Sequence, residues 1–206
     1  MLIKIILSIL SGYLLGSINA ALVIGKVFFK KDIRNYGSGN AGTTNVLRTF
    51  GKGAAAAVLV VDFLKGILAC LAGQMLTGEI ENIGWAGVYL AGFAAVIGHN
   101  WPVFFGFRGG KGVLTSFAVI LYMSPVPALI CLAVFIIVVS LTKYVSLGSI
   151  IAAILWPVVS IFFDLPALML VIAVLMVILI IIRHKENITR LFQGTEKKLN
   201  FKSKPD

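Results

Sequence analysis

Long apolar runs alternate with short polar segments along nearly all of this 206-residue chain. About 20 apolar residues in a helix are enough to cross the apolar core of a bilayer, which is roughly 30 Å thick. The pattern therefore predicts an all-α integral membrane protein with a single membrane-embedded domain over residues 1–206. We predict seven transmembrane helices, at 3–24, 54–76, 84–105, 113–123, 126–142, 145–163 and 166–183.

The fourth apolar run is shorter than the others. It covers 113–123 before the segment 124–127, SPVP, interrupts it. Proline removes a backbone donor and disrupts a helix interior, and a run of this length is about half of what a crossing needs. We therefore expect a short or broken fourth helix, which either crosses the membrane or turns back within it.

The basic residues lie mainly on one side of the predicted helices. Sixteen of the 18 Lys and Arg residues lie in the segments that share one side when the helices alternate, which are 26–53, 106–112, 143–144 and 183–206. The loops on the other side carry Glu79, Glu81 and Asp164 and no basic residue. Because cytoplasmic loops are rich in Lys and Arg, this predicts an outside N-terminus and a cytoplasmic C-terminal tail, 184–206. The rule also explains the formal charge of +10 without nucleic acid as a partner.

The segment 36–48, YGSGNAGTTNVLR, has the residue types of an anion-binding loop. Its glycines let backbone N–H groups approach an anion, and Ser38, Thr43 and Thr44 add hydroxyl donors. The guanidinium of Arg48 suits a phosphate group. The alternative is an ordinary tight loop in which Arg48 only contributes to membrane orientation. The glycine spacing also matches a dinucleotide fingerprint, but no strand precedes it.

A second glycine-rich segment, GFRGGKG at 106–112, carries Lys111 just before the predicted fourth helix. It differs from a nucleotide-binding P-loop because no Ser or Thr follows the lysine to hold magnesium. The lysine and the free amides nevertheless form a place for an anionic group. His99, shortly before this segment, is either a base or a hydrogen-bonded structural residue.

Two further pairs of polar residues are three positions apart and share a helical face. His184 and Asn187 belong to the cytoplasmic tail, which has the apolar spacing of an amphipathic helix on the membrane surface. Asp62 and Lys65 lie inside the second apolar run, either as an ion pair between helices or as substrate contacts.

Together these segments predict a site for a phosphate ester at the cytoplasmic face. We find no spacing typical of metal ligands or of a nucleophilic triad, so we expect no metal and no cofactor. Any catalysis must then depend on positioning and electrostatics. The alternative function is a membrane transporter of a phosphate-bearing anion, although such transporters tend to show internal repeats, which this sequence lacks.

Six segments of the chain resemble the bacterial acyl-phosphate:glycerol-3-phosphate acyltransferases, the PlsY family. They are YLLGSI, GSGNAGTTNVLR, DFLKG, GHNWPVFFGFRGGKGV, YVSLGSI and HKENITRLFQGTE. The resemblance implies a seven-helix protein of the inner membrane that transfers a fatty acyl group from acyl phosphate to the 1-hydroxyl of sn-glycerol 3-phosphate. The product is lysophosphatidic acid. It implies no cofactor, and as partners the lipid bilayer and, transiently, the enzyme that produces acyl phosphate.

The resemblance also implies roles for individual residues. The glycerol 3-phosphate site would consist of Ser38, Arg48, Lys111, His184 and Asn187, of which Ser38, Arg48 and Lys111 would act in catalysis. The acyl-phosphate head would contact Gly39, Asn40, Thr44, Asn45, Gly109 and Gly110. We expect the phosphate of the donor to accept the proton of the glycerol hydroxyl, because the sequence places no side chain well as a base.

Overall fold

The computed structural model describes residues 1–81 and 83–199, and in these ranges the chain forms ten α-helices and no extended strand. The all-α prediction is confirmed. The helices are α1 (Leu2–Ser17), α2 (Ala20–Phe28), α3 (Thr43–Thr49), α4 (Lys52–Thr77), α5 (Ala86–Asn100), α6 (Val113–Met123), α7 (Pro125–Thr142), α8 (Val145–Ser160), α9 (Ala167–Arg183) and α10 (Lys185–Phe192).

Five helical segments in the described part of the chain are long and apolar enough to cross a membrane, namely Leu2–Phe28, Lys52–Thr77, Ala86–Phe105, Pro125–Thr142 and Val145–Phe163. A sixth results if α9 and α10, which are bent by 60° at their junction, are counted as one span. Helix α6 has 11 residues, so it extends only about 16 Å. The fourth predicted helix is therefore short, as its sequence indicates.

The first apolar run differs from the predicted helix 3–24, because it divides into α1 and α2. Asn19 lies between them and caps α2, since its Oδ1 accepts a hydrogen bond from Leu22 N at 3.1 Å. Its Nδ2 donates to the carbonyl of Ala41 at 3.4 Å. The break therefore attaches the first membrane span to the loop that precedes α3.

The segment 36–48 also differs from a simple loop, because its second half forms α3. A short 3₁₀ helix, Ile33–Asn35, precedes it. Arg34 pairs with Asp32 at 2.7 Å and donates to the carbonyls of Phe105 and Arg108 at 3.0 and 3.1 Å. The two glycine-rich segments are thus joined through one guanidinium group.

Helices α1 and α5 pack at backbone contact. A Cβ atom built on Gly12 would lie 2.2 Å from the carbonyl oxygen of Ala91, and one on Gly16 would lie 2.1 Å from that of Ala95. Small residues allow this approach between membrane helices, where association depends on close packing. The α1–α5 contact therefore requires glycine at these two positions.

A buried polar network connects α1, α4 and α5. The Nζ of Lys65 lies 2.8 Å from Asp62 Oδ1 and donates to His99 Nδ1 and to the carbonyl of Ile18, both at 2.9 Å. Ionisable side chains at membrane depth are costly unless they are paired. Asp62 and Lys65 form an ion pair within α4, and the ammonium of Lys65 also donates to the carbonyl left free where α1 ends. Asp62 lines the cavity described below, so the alternative of a substrate contact stays a prediction.

The same network supports the second glycine-rich segment. The carbonyl oxygens of His99 and Asn100 accept hydrogen bonds from Gly110 N and Gly109 N, each at 3.1 Å. A Cβ atom on Gly110 would lie 2.1 Å from His99 Nε2. His99 is therefore in direct contact with the turn that ends at Lys111.

We predict that Gly16→Ala destabilises the protein, because a methyl group cannot fit against the backbone of α5. Overpacking of this kind costs about 1–3 kcal/mol, and thermal unfolding in detergent should show a lower Tm. Gly53→Ala is the matched control, since nothing lies within 4 Å of a Cβ atom there. Equal Tm values for the two variants would contradict the proposed contact.

We also predict that Lys65→Met is strongly destabilising, because it leaves the buried carboxylate of Asp62 without a counter-charge. Removing one partner of a buried ion pair costs about 3–5 kcal/mol. The double variant Asp62→Asn/Lys65→Met should recover part of the loss, and Lys52→Met, at the exposed start of α4, should have little effect. A double-mutant cycle on Tm measures the coupling, and additive effects would rule out the pair.

Candidate active site

A cavity of about 600 Å³ lies between the polar segments that are rich in Lys and Arg and helices α6 to α9. Its mouth is polar and includes Ser38, Arg48, Lys111, His184, Asn187 and Glu196. Its body is apolar and includes Phe117, Ile120, Ala128, Leu132, Phe135 and Ala153. A cavity with one polar and one apolar end matches an amphiphile with a charged head.

The five residues predicted for glycerol 3-phosphate lie together at this mouth, although they come from distant parts of the chain. Ser38 belongs to the first loop, Arg48 to α3, and Lys111 to the glycine turn before α6. His184 and Asn187 lie at the bend between α9 and α10. The fold thus assembles one site from three sequence segments, while the individual roles remain predictions.

Lys111 is held in a precise direction by its neighbours. Gly112 adopts a positive φ of 76° at the start of α6, and the Lys111 ammonium donates to Asn187 Oδ1. Burial lowers the pKa of Lys111 to about 8, although the nearby carboxylate of Glu196 opposes the shift. Lys111 is therefore a cation at neutral pH that loses its charge sooner than an exposed lysine.

The glycine turn is fixed from its other side by Arg183. Its Nη2 donates to the carbonyl of Gly110 at 2.8 Å, and its guanidinium lies 5.4 Å from the ring centre of Trp101. Gly110 consequently supports the turn and does not line the cavity, whereas Gly109 lines a second pocket described below. The backbone carbonyls of Gly109 and Gly110 both point towards the guanidinium of Arg183.

His184 is a neutral side chain in this site. Burial, followed by the charge of Lys111, lowers its pKa to about 4. Its Nδ1 lies 2.8 Å from the carbonyl oxygen of Ile180, which can only accept a hydrogen bond. The proton of the neutral imidazole is therefore on Nδ1, and Nε2 is left as an acceptor.

Arg48 supplies a second positive charge at the mouth. Its Nη2 donates to the carbonyl of Lys197 at 3.1 Å. Burial lowers the pKa of Arg48, but a guanidinium remains protonated throughout the physiological range. Thr44, one turn earlier in α3, also lines the cavity.

Asn45 shapes the first loop through its side chain. Its Nδ2 donates to the carbonyls of Tyr36 and Asn40, each at 3.0 Å, and its Oδ1 accepts from Ser38 N at 2.8 Å. These bonds occupy the amide group that was predicted to contact acyl phosphate. Asn45 lines the cavity wall, and the structure shows it as the residue that positions Ser38 and Asn40.

A second pocket of about 250 Å³ adjoins the mouth and is strongly basic. Gly39 and Gly109 lie here and not in the main cavity. The two pockets share Ser38, Asn40, Lys111 and Arg190, and the second also includes Arg34, Arg108, Arg183 and Lys185. The shared residues therefore lie at the junction between the basic pocket and the amphiphilic cavity.

The tail returns to the mouth of the cavity, a contact that the charge pattern of the sequence does not predict. Glu196 accepts hydrogen bonds from Ser146 Oγ at 2.7 Å, Asn187 Nδ2 at 2.6 Å and Arg190 Nε at 2.8 Å. Burial opposes its ionisation, but these donors outweigh burial and lower the pKa of Glu196. Glu196 is one of three acidic residues in the tail 184–206, with Glu186 and Asp206, so its residue type alone does not mark it for this position.

The sequence model of the family described as Glycerol-3-phosphate acyltransferase matches residues 6–194 of the chain. A glycerol-3-phosphate acyltransferase of Thermoanaerobacter pseudethanolicus is 46% identical over 198 residues, covering 96% of this chain and 97% of the relative. One of Shouchella clausii is 46% identical over 206 residues, covering 98% and 99%. The similarity therefore extends over nearly the whole length of both proteins.

Two crystal structures of PlsY, an integral membrane glycerol 3-phosphate acyltransferase, share this fold. The glycerol 3-phosphate form has a TM-score of 0.88 and 40% identity, covering 95% of this chain and 96% of that one. The lysophosphatidic acid form has a TM-score of 0.84 and 38% identity, covering 96% of each. Sequence and fold agree along the same residues, and the chain belongs to the glycerol-3-phosphate acyltransferase family.

Proposed function

We propose that this protein transfers a fatty acyl group from acyl phosphate to the 1-hydroxyl of sn-glycerol 3-phosphate, with lysophosphatidic acid and phosphate as products. The observation that carries the proposal is the single cavity with cationic and amide groups at its mouth and an apolar body. Acyl phosphate and lysophosphatidic acid are both amphiphiles with a phosphate head, and both fit this division. The names of the relatives support the acceptor and the reaction.

The proposed setting is the cytoplasmic membrane of a bacterium, with seven crossings, an outside N-terminus and a site open to the cytoplasm. The concentration of Lys and Arg in the segments that build the mouth supports this orientation. Glycerol 3-phosphate then comes from the cytoplasm and acyl phosphate from the membrane. The enzyme that produces acyl phosphate is the expected transient partner.

The main electrostatic task of the site is to hold two phosphate groups close together. Arg48 and Lys111 each offer a positive charge at the mouth, and their charges offset the repulsion between the substrates. Asn187 and Ser38 add neutral donors that orient glycerol 3-phosphate. Asn40 and Thr44, which line the cavity, are assigned to the head of acyl phosphate. The backbone amides of Gly39 and Gly109 donate to the carbonyls of Tyr36 and Asn100, so these two glycines shape the loops beside that head group.

The chemical step needs no covalent intermediate on the protein. The 1-hydroxyl oxygen attacks the acyl carbonyl carbon, the bond from that carbon to the phosphate oxygen breaks, and phosphate leaves. A phosphate oxygen of the donor takes the hydroxyl proton. His184, with a pKa of about 4, is a weak base, and its Nε2 instead accepts a hydrogen bond from the other hydroxyl group of glycerol 3-phosphate, which orients the acceptor.

We expect the purified protein to incorporate radiolabelled glycerol 3-phosphate into lipid with palmitoyl phosphate and not with palmitoyl-CoA. Lys111→Ala should lower kcat/KM by at least about 10²-fold, because it removes a charge that stabilises the transferring groups. Lys4→Ala, in α1 and away from the cavity, is the control. No lipid product from either donor in folded protein would reject the proposal, and uptake into sealed vesicles would then be measured.

We further expect kcat/KM for glycerol 3-phosphate to fall as the pH rises through about 8. The lowered pKa means that the Lys111 cation, which holds the substrate, is lost in this range, and kcat/KM reports the pKa values of the free enzyme. Lys111→Arg keeps its charge and should lack this decline, even if its overall activity is lower. An unchanged decline in that variant would assign the titration to another group.

A further inference from the structure

Helices α6, α7 and α8 line the apolar body of the cavity, and each of them has one end at the mouth. Helices α6 and α8 begin at the mouth, and α7 ends there, since Leu199 N donates to the carbonyl of Lys143 directly after α7. Val139 therefore lines the cavity near the mouth, and Ala128 lines its far end. They are about three helical turns apart, or roughly 16 Å.

This depth matches one leaflet of a bilayer. The apolar core is about 30 Å thick, so the acyl chains of one leaflet extend roughly 15 Å. An acyl chain whose phosphate lies at the mouth can therefore enter the cavity as far as α7 residue 128. The cavity has the reach to hold most of a membrane-length chain inside the protein.

The far end of the cavity is closed by well-packed side chains. Ile120 of α6 and Ala128 of α7 are 7% and 0% exposed. Both belong to a core cluster with Trp156, Met169 and Ile172. A chain that reaches this floor cannot continue without displacing the core, because protein interiors are close-packed.

We infer that Ala153 limits the longest acyl chain that the enzyme accepts. Ala153 of α8 lines the cavity, is 8% exposed and carries only a methyl group, whereas Ala128, at 0% exposed, belongs to the packed floor. The space beside Ala153 holds the terminal carbons of the chain. A larger side chain at position 153 fills that space and excludes the longest donors while leaving the mouth unchanged. This inference rests on the proposed use of acyl phosphate.

The test compares decanoyl, lauroyl and palmitoyl phosphate as donors for the wild type and Ala153→Leu. One methylene group in a hydrophobic pocket changes kcat/KM by about 10- to 200-fold. The ratio of kcat/KM for lauroyl phosphate to that for palmitoyl phosphate should therefore rise at least tenfold in Ala153→Leu. Because each ratio is compared with that of the wild type, differences in the partitioning of the donors into detergent cancel.

Ala133→Leu is the matched control. Ala133 lies on the neighbouring helix α7, but it is exposed and does not line the cavity. Its ratio should equal that of the wild type. A rise in this control similar to that in Ala153→Leu would overturn the inference, because a general effect of replacing a helical alanine by leucine would explain both.

The remaining outcomes separate this inference from the proposed function. Wild-type protein without turnover of any acyl phosphate would reject the function itself. Wild-type turnover with an unchanged ratio in Ala153→Leu would overturn only the inference. Loss of all turnover in Ala153→Leu would also overturn it, because a residue that limits only chain length leaves the shortest donor able to react.

Discussion

A lysine ammonium inside the membrane-spanning bundle must be neutralised, and the rest of the structure depends on how this is done. Lys65 meets the carboxylate of Asp62, the imidazole of His99 and the free carbonyl of Ile18. A charge at the centre of a membrane helix costs about 2.5–3.5 kcal/mol on insertion scales. Asp62 lies about one helical turn from Lys65 on α4, whereas Ile18 and His99 reach Lys65 only when α1, α4 and α5 are assembled, so these two contacts make the packing specific.

Lys111, the lysine proposed to act in catalysis, lies at the mouth of the cavity and depends on this arrangement. The glycine turn before Lys111 packs on His99 and is held by Arg183, so the buried network determines where the lysine points. Among the described residues, the direct hydrogen-bond partner of its ammonium is the amide of Asn187. A partly desolvated cation with a neutral partner retains the capacity to bind an anion, which is the property that the proposed reaction requires.

The arrangement also explains how a water-soluble acceptor and a lipid donor can meet. A basic pocket and an amphiphilic cavity share Ser38, Asn40, Lys111 and Arg190. The first suits a small charged molecule and the second an acyl chain with a charged head. The tail segment that carries Glu196 borders the same mouth. When no phosphate group is bound, its carboxylate reduces the electrostatic repulsion between the neighbouring cations.

The sequence by itself determined the helical membrane architecture, the short fourth helix and the three polar segments, because hydrophobic length and glycine, lysine and arginine spacing are local properties. Only the tertiary structure decided that Asn19 divides the first apolar run and that Glu196 returns to the mouth. It also decided that the side-chain amide of Asn45 forms hydrogen bonds with its own loop, where the sequence predicted a contact with acyl phosphate. The pairing of Lys65 with His99, and the apolar cavity behind Lys111, likewise depend on contacts between helices far apart in the chain. Such contacts leave no periodic signal in the sequence, because each is fixed by the packing of the others.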